Sequence, residues 1–293
     1  MRDRAGPSVW TRGRGRRAAQ AHRTRPCGDD LSAPTVAELD RLVRGDELQL
    51  LHQALVDMRT GRAVGVESVI RWRHPERGLL HAMEFVTAVP ASGLAREFTQ
   101  WILRTAATQL ARWRAAGLHL GWTSVNTWPE SLRAHLVDDT LRAAADAGLE
   151  PAAIQIETPP EATYDPATLD VVRALRAAGI RVAFDDFGDG DVRLTWLRDA
   201  AFDVIKVPVT FVKGPGGAFD DYAIGAAVGF ARTMGATVVA EGVETTAIRD
   251  HVLGLGCDIG QGYLWSKIVP GDEIPRLVAH IRIDGAVDAT QGA

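Results

Sequence analysis

Cysteine is nearly absent: Cys27 and Cys257 are the only two in 293 residues. One lies in an arginine-rich leader and the other in strand-like sequence far downstream, so they build neither a disulfide framework nor a Cys-x-x-Cys metal knuckle. A reducing, cytoplasmic setting is therefore the expectation. Long hydrophobic runs are missing too. The longest, around Ala223 to Ala231, falls far short of the ~20 residues a membrane span needs. No apolar segment follows Arg16-Arg17, which argues against a twin-arginine export signal. The eight histidines show no HExxH or paired spacing, which argues against zinc, and His74, next to Pro75, reads as a loop hydrogen-bonder. There is no GxGxxG and no Gly-Lys-Ser/Thr, so dinucleotide-cofactor and P-loop chemistry are excluded. No period of about 20 to 50 residues repeats, which excludes a solenoid.

What is present is an ordinary globular composition, 46% hydrophobic and 24% charged, able to bury a sizeable core. The net charge of −4 hides an asymmetry: residues 1–30 hold eight Arg against three Asp, which leaves −9 for the rest. An acidic body argues against duplex nucleic acid as a partner. It suits a fold that collects carboxylates for metals. The expected division is a disordered Arg-rich leader at 1–30, one domain at 31–285 and a flexible tail at 286–293.

Val36, Leu39 and Leu42 recur at helical spacing and predict a short lead-in helix. Leu48 to Met58 and Ala63 to Trp72, joined by Arg59-Thr60-Gly61-Arg62, read as a β-hairpin, the only one expected. Beyond it helix and strand alternate. Helical runs cover Ala95 to Ala116 and Glu130 to Ala147, and short buried strands are expected at 121–126, 153–157, 181–185, 202–206, 237–241 and 257–261. About eight strands separated by crossover helices make an α/β chain, a (β/α)8 TIM-like barrel rather than a sandwich.

In such barrels chemistry sits where the C-terminal strand ends meet the following loops. Reading the last inward residue of each strand gives Glu67 with Arg71, then Asn126, Glu157, Asp185 with Asp186, Lys206, Glu241 and Gln261. A single strand-end carboxylate is most simply a hydrogen-bonded loop residue. Four or five converging on one mouth repel, and require protons or cations. The donors are all oxygen, which selects hard Mg2+ or Mn2+. Adjacent Asp185-Asp186 suits a two-metal phosphoryl-transfer site, in which one carboxylate bridges two ions.

These residues, in this order, resemble the EAL domain of bacterial cyclic di-GMP phosphodiesterases. The anchors are Glu67-Ser68-Val69, Arg71-Trp72, Ser124-Val125-Asn126, Ile156-Glu157, Asp185-Asp186-Phe187-Gly188, Ile205-Lys206, Ala240-Glu241-Gly242-Val243-Glu244-Thr245 and Gly256-Cys257-Asp258 to Gln261-Gly262-Tyr263. The resemblance runs from about Leu48 to Val269 and implies a barrel with an antiparallel first strand, in agreement with the hairpin. It also implies roles. Glu67, Asn126, Glu157 and Asp185 would hold one ion, and Asp185, Asp186 and Glu241 the second. Lys206 would orient the attacking water or stabilise charge, and Gln53, Arg71 and Gln261 would steady the substrate. The implied reaction opens cyclic di-GMP to linear 5'-pGpG, with Glu241, Lys206 and Asp186 as catalytic residues and a homodimer through the barrel as a possible assembly. No cyclase-like GGDEF segment is expected beside it.

The chain departs from the family pattern in places. Glu-Ser-Val stands for Glu-Ala-Leu, and His52-Gln53-Ala54 for Tyr-Gln-Pro. Glu157-Thr158-Pro159-Pro160 replaces Glu-x-Thr-Glu, so Pro160 stands where a loop-bracing Glu is usual, with Glu161 shifted by one. Gly188-Asp189-Gly190-Asp191-Val192-Arg193 fills the facing loop, and Val207-Pro208 follows Lys206. Three functions follow as expectations: a phosphodiesterase, a receptor that binds cyclic di-GMP without cleaving it, and a metal-dependent barrel acting on another phosphodiester.

Overall fold

The computed structural model describes residues 33–159, 162, 165–188, 194–213 and 217–281. The expectations for the leader at 1–30, the tail at 286–293, Pro160, Glu161 and Asp189 to Arg193 lie outside the described residues.

The lead-in helix α1 (Val36–Arg44) opens with a capping box: Thr35 Oγ1 accepts from Glu38 N, and Glu38 reaches back to Thr35 N. Reciprocal capping satisfies backbone donors that a helix start leaves open. Leu39, Leu42 and Val43 are its buried face.

The hairpin follows as β1 (Leu48–Asp57) and β2 (Arg62–His74), paired antiparallel from Leu48↔Trp72 to Asp57↔Arg62 with a bulge between Leu55 and Val56. Asp57 shapes the turn by accepting from Arg59 N and Thr60 N at 2.9 and 2.8 Å. A second hairpin, which the sequence reading did not expect, adds β3 (Gly78–His81) to the far end of β2. Four residues are too few to show a strand period. The turn between them is set by His74, whose Nδ1 accepts from Glu76 N and Arg77 N, and by Gly78 at φ 76°, a conformation that excludes most side chains.

From here the chain alternates. In order come α2 (Val89–Ser92), α3 (Ala95–Ala115), β4 (Trp122–Asn126), α4 (His135–Asp146), β5 (Ile154–Thr158), α5 (Pro166–Ala177), β6 (Arg181–Phe184), α6 (Leu194–Ala200), β7 (Val204–Val207), α7 (Val209–Val212), α8 (Ala218–Met234), β8 (Thr237–Glu241), α9 (Thr246–Leu255), β9 (Ile259–Gln261), β10 (Val269–Pro270) and α10 (Ile274–His280). The buried residues of α3, from Ala95 and Phe98 through Ile102, Ala106 and Leu110 to Trp113, hold a three-and-four spacing over five turns, the stripe a helix needs to lie against a sheet. The helix expected from Glu130 begins only at His135, because Pro129–Ser131 forms a separate 3-10 turn.

Strands β2, β4, β5, β6, β7, β8 and β9 pair in parallel succession, and β1 pairs antiparallel with both β2 and β9. That double pairing closes an eight-stranded barrel with an antiparallel first strand. Successive residues of a strand face opposite sides, so the interior is filled in layers two residues apart. One layer holds Leu55, Ala183, Val204, Val239 and Ile259. The next, toward the C-terminal ends of the parallel strands, is almost wholly polar.

Candidate active site

Two steps in sequence separate each apolar interior residue from a polar one: Val204 from Lys206, Val239 from Glu241, Ile259 from Gln261. Strand register brings the polar set to one level, through Gln53↔Glu67, Asn126↔Glu157 and Glu241↔Gln261. Asp185 and Asp186 lie just beyond the last residue of β6. Asp186 takes φ 49°, and its backbone N–H donates to Asp185 Oδ1 at 3.0 Å.

Lys206 is the hub. Its Nζ lies 2.6 Å from Glu241 Oε1, 2.9 Å from Glu157 Oε2, 3.3 Å from Asp185 Oδ1 and 3.6 Å from Glu67 Oε2. Glu67 also accepts from Asn126 Nδ2 at 2.7 Å and from Gln261 Nε2 at 2.6 Å. Gln261 bonds Gln53 Oε1 at 2.9 Å as well, and Gln53 Nε2 is anchored on the Ser266 carbonyl at 2.8 Å. Glu157 accepts from Ser124 Oγ through its other oxygen.

Four carboxyl groups thus converge around one buried ammonium. Burial and the nearby Glu67 push the Glu157 carboxyl well above its usual range, and burial, partly offset by Lys206, pushes Glu241 up to about 8. Burial acts the same way on Glu67, but Lys206, Gln261 and Asn126 outweigh it and lower its pKa. Lys206 is destabilised as a cation by burial, yet Asp185, Glu157, Glu241 and Glu67 together raise its pKa well above normal. Fully ionised, the four carboxyls would carry more negative charge than one lysine offsets, and the raised Glu157 and Glu241 hold protons in place of a second cation.

The residues fit a divalent cation. Oxygen atoms of Asp185, Asp186 and Glu241 lie within 4.8 Å of one another, and the donors are hard oxygens. Asn126 donates its amide hydrogen to Glu67, so its carbonyl oxygen is not the atom used in that bond. Gln261 Oε1, on the wall of the site, is buried without a hydrogen-bond partner, which a closed protein interior avoids and a ligand site explains.

Two pockets abut over the cluster. One, of about 370 Å3, is lined by Gln53, Glu67, Asp185, Lys206, Glu241 and Gln261 among others. The other, of about 520 Å3, shares Val69, Asp185 and Asp186 with it and is walled by Met83, Val86, Trp128 and Pro129, with Asn126 at its edge. Arg71 lines neither. It stands four residues beyond Glu67 on β2, about 13 Å along the strand, with Nη1 donating to the Ile70 carbonyl at 2.8 Å. Lys213, not among the expected site residues, and Glu244, expected only as part of the Glu241 motif, form an ion pair on the wall of the first pocket. Lys213 is one of only three lysines, and that scarcity was the available signal. Gly242, at φ 73°, seats this wall: a Cβ there would lie 2.4 Å from Val209 Cγ2.

Comparison with known proteins agrees with this architecture. The EAL domain family model matches residues 36–268. Rv1354c of Mycobacterium tuberculosis is 33% identical over 252 residues, which cover 84% of this chain and 40% of that protein. The cyclic di-GMP phosphodiesterase NbdA of Pseudomonas aeruginosa is 32% identical over 253 residues, covering 85% of this chain and 32% of NbdA. This chain thus spans well under half the length of either relative. Among solved structures, the PaMucR phosphodiesterase in complex with c-di-GMP superposes with a TM-score of 0.76 at 28% identity, covering 82% of this chain and 98% of that one. The EAL domain of Mycobacterium smegmatis DcpA gives 0.68 at 29% identity, covering 80% and 99%. Barrel, strand-end polar ring and family match converge on one assignment: the chain belongs to the EAL domain family.

Proposed function

We propose that this barrel hydrolyses cyclic di-GMP to linear 5'-pGpG with Mg2+ or Mn2+. The observation that carries the reading is the Asp185, Asp186 and Glu241 oxygen triad beside the Lys206 cluster at the mouth of an EAL-family barrel. Glu67, Asn126, Glu157 and Asp185 would hold one ion, and Asp185, Asp186 and Glu241 the other. Bound there, the ions supply Lewis acidity, which lowers the pKa of water and offsets charge on phosphoryl oxygens.

The chain's own groups do the rest. Lys206 draws Glu157, Asp185 and Glu241 together and presents a cationic N–H donor to an attacking water or a phosphoryl oxygen. Water adds to phosphorus, the bond to the 3' oxygen breaks, that oxygen takes a proton, and a 5'-phosphate remains on the linear dinucleotide. Gln261 offers its unpartnered Oε1 to the substrate, with Gln53 holding Gln261 in place, and Arg71, whose charge acts on Glu67 and Tyr263, supplies positive potential toward the phosphates. The larger pocket beside the acidic one has the size and apolar walls to take a purine base.

The setting proposed is the cytoplasm. Among the described residues no helix is long and apolar enough to cross a membrane, and Cys257 is a buried free thiol. A homodimer through the barrel is proposed with it, and sedimentation of the purified protein is the check. Activity is tested by incubating the protein with cyclic di-GMP and Mg2+ or Mn2+ and resolving the nucleotides chromatographically. A pGpG peak that chelation abolishes supports the reading. Tight binding without product makes the chain a receptor instead.

A further inference from the structure

The interior layer beneath the acidic ring is apolar on β1, β6, β7, β8 and β9, through Leu55, Ala183, Val204, Val239 and Ile259. On β4 and β5 it is not. Ser124 and Gln155 occupy it there, both buried, and both stand below Glu157. Gln155 precedes Glu157 by two residues on the same face of β5, and Ser124 is the β4 residue paired with Gln155. A hydroxyl and a primary amide buried among aliphatic side chains are costly without hydrogen bonds. Both have them, in one connected row. Arg181 Nε donates to Gln155 Oε1 at 3.3 Å, Gln155 Nε2 donates to Ser124 Oγ at 2.9 Å, and Ser124 Oγ donates to Glu157 Oε1. Arg181 is held in turn over the Trp122 ring, 4.3 Å from its centroid.

The row has a direction. A guanidinium only donates, so Gln155 must turn its carbonyl oxygen to Arg181 and its amide nitrogen to Ser124. The Ser124 oxygen then accepts from Gln155, and its single proton is left for Glu157. The two oxygens of Glu157 are made unequal: Oε1 is tied down into the barrel, while Oε2 faces the cluster, 2.9 Å from Lys206 Nζ.

We propose that Arg181, Gln155 and Ser124 form a one-way hydrogen-bond relay that positions Glu157 so that Oε2 is the oxygen offered to a divalent cation. The proposal rests on the reading of Glu157 as a metal ligand given above. None of the three relay residues lines either pocket of the site, so they are positioning residues. Groups that orient a metal ligand from behind commonly change metal affinity by about 10- to 100-fold.

The test is calorimetric titration of Mn2+ into the metal-free wild type, Ser124→Ala, Ser124→Thr and Gln155→Leu, with turnover of cyclic di-GMP measured in parallel. Ser124→Ala and Gln155→Leu are expected to weaken Mn2+ binding about tenfold or more, and Ser124→Thr, which keeps the hydroxyl, to recover most of the loss. A folded Ser124→Ala protein that binds Mn2+ as the wild type does overturns the relay. Should Ser124→Ala not fold, Arg181→Met removes the directing donor together with its stacking on Trp122, and unchanged Mn2+ affinity there overturns it equally. The two readings fail separately. Wild type that makes pGpG while Ser124→Ala keeps full Mn2+ affinity sinks the relay alone; Mn2+ binding that is lost in Ser124→Ala, with no pGpG from the wild type, upholds the relay and sinks the hydrolase.

Discussion

Lys206 Nζ and Glu157 Oε2 form a 2.9 Å ion pair inside the barrel, with neither side chain more than 2% exposed. Removing one member of such a pair leaves an uncompensated buried charge, a loss of about 3–5 kcal/mol. Lys206→Met should therefore lower the stability of the metal-free protein by about that amount in urea unfolding and abolish turnover. Saturating Mn2+ should restore part of the stability, since the cation replaces the missing positive charge. A metal-free Lys206→Met protein as stable as wild type would show that Lys206 does not hold the carboxylates together.

Cation binding is expected to register as thermal stabilisation. A ligand that binds only the folded state at about 100 times its Kd adds about 2.7 kcal/mol. Differential scanning calorimetry should show Mn2+ raising the Tm of the wild type and raising it much less in Asp186→Asn, which removes one charge from the Asp185, Asp186 and Glu241 triad. Equal Mn2+-induced shifts in the two proteins would place the cation elsewhere.

His52 gives a pH dependence with a definite sign. Burial lowers its pKa from 6.5 to about 4; its Nδ1 lies 2.8 Å from Ser68 Oγ, and its ring packs edge-on against Trp113. The unfolded chain binds the proton more readily than the folded one, so this contribution is complete above about pH 6.5 and is lost as pH falls toward 4, by roughly 3 kcal/mol in all. Urea unfolding at a series of pH values should show a shallower slope across that window in His52→Gln than in wild type. Parallel slopes would remove His52 from the account.

Gly260 tests the packing that aims Gln261. A Cβ there would lie 2.3 Å from Trp265 Cη2 and 2.5 Å from Cζ3, on the outer face of β9, while the neighbouring Gln261 points inward. Gly260→Ala should cost about 1–3 kcal/mol, the range typical of overpacking, as measured by chemical denaturation. A change below about 0.5 kcal/mol, the range of neutral surface substitutions, would mean that Trp265 yields freely.

The barrel was legible in the sequence because short buried strands, each closing on a polar residue, alternate with helical runs, and because glycine closes several of the helices between them. The carboxylates, Asn126 and Lys206 were legible for the same reason. The β2–β3 hairpin was not, since Gly78–His81 is too short to carry a period and its turn depends on a side-chain contact from His74. The relay under Glu157 was hidden as well. Ser124 and Gln155 occupy ordinary strand positions, and only the register of β4 against β5 brings them into one row. Arg71 was readable from its place on the same face of β2 as Glu67, but that its Nε is left without a partner was not, since that depends on how the guanidinium packs.

The most direct test of the central claim is to incubate the purified protein with cyclic di-GMP and Mn2+ in heavy-oxygen water and weigh the products by mass spectrometry. The account predicts linear pGpG with one heavy oxygen on its terminal phosphate, formed by the wild type and not by Glu241→Ala. Intact cyclic di-GMP after prolonged incubation of folded, Mn2+-saturated wild type would contradict it.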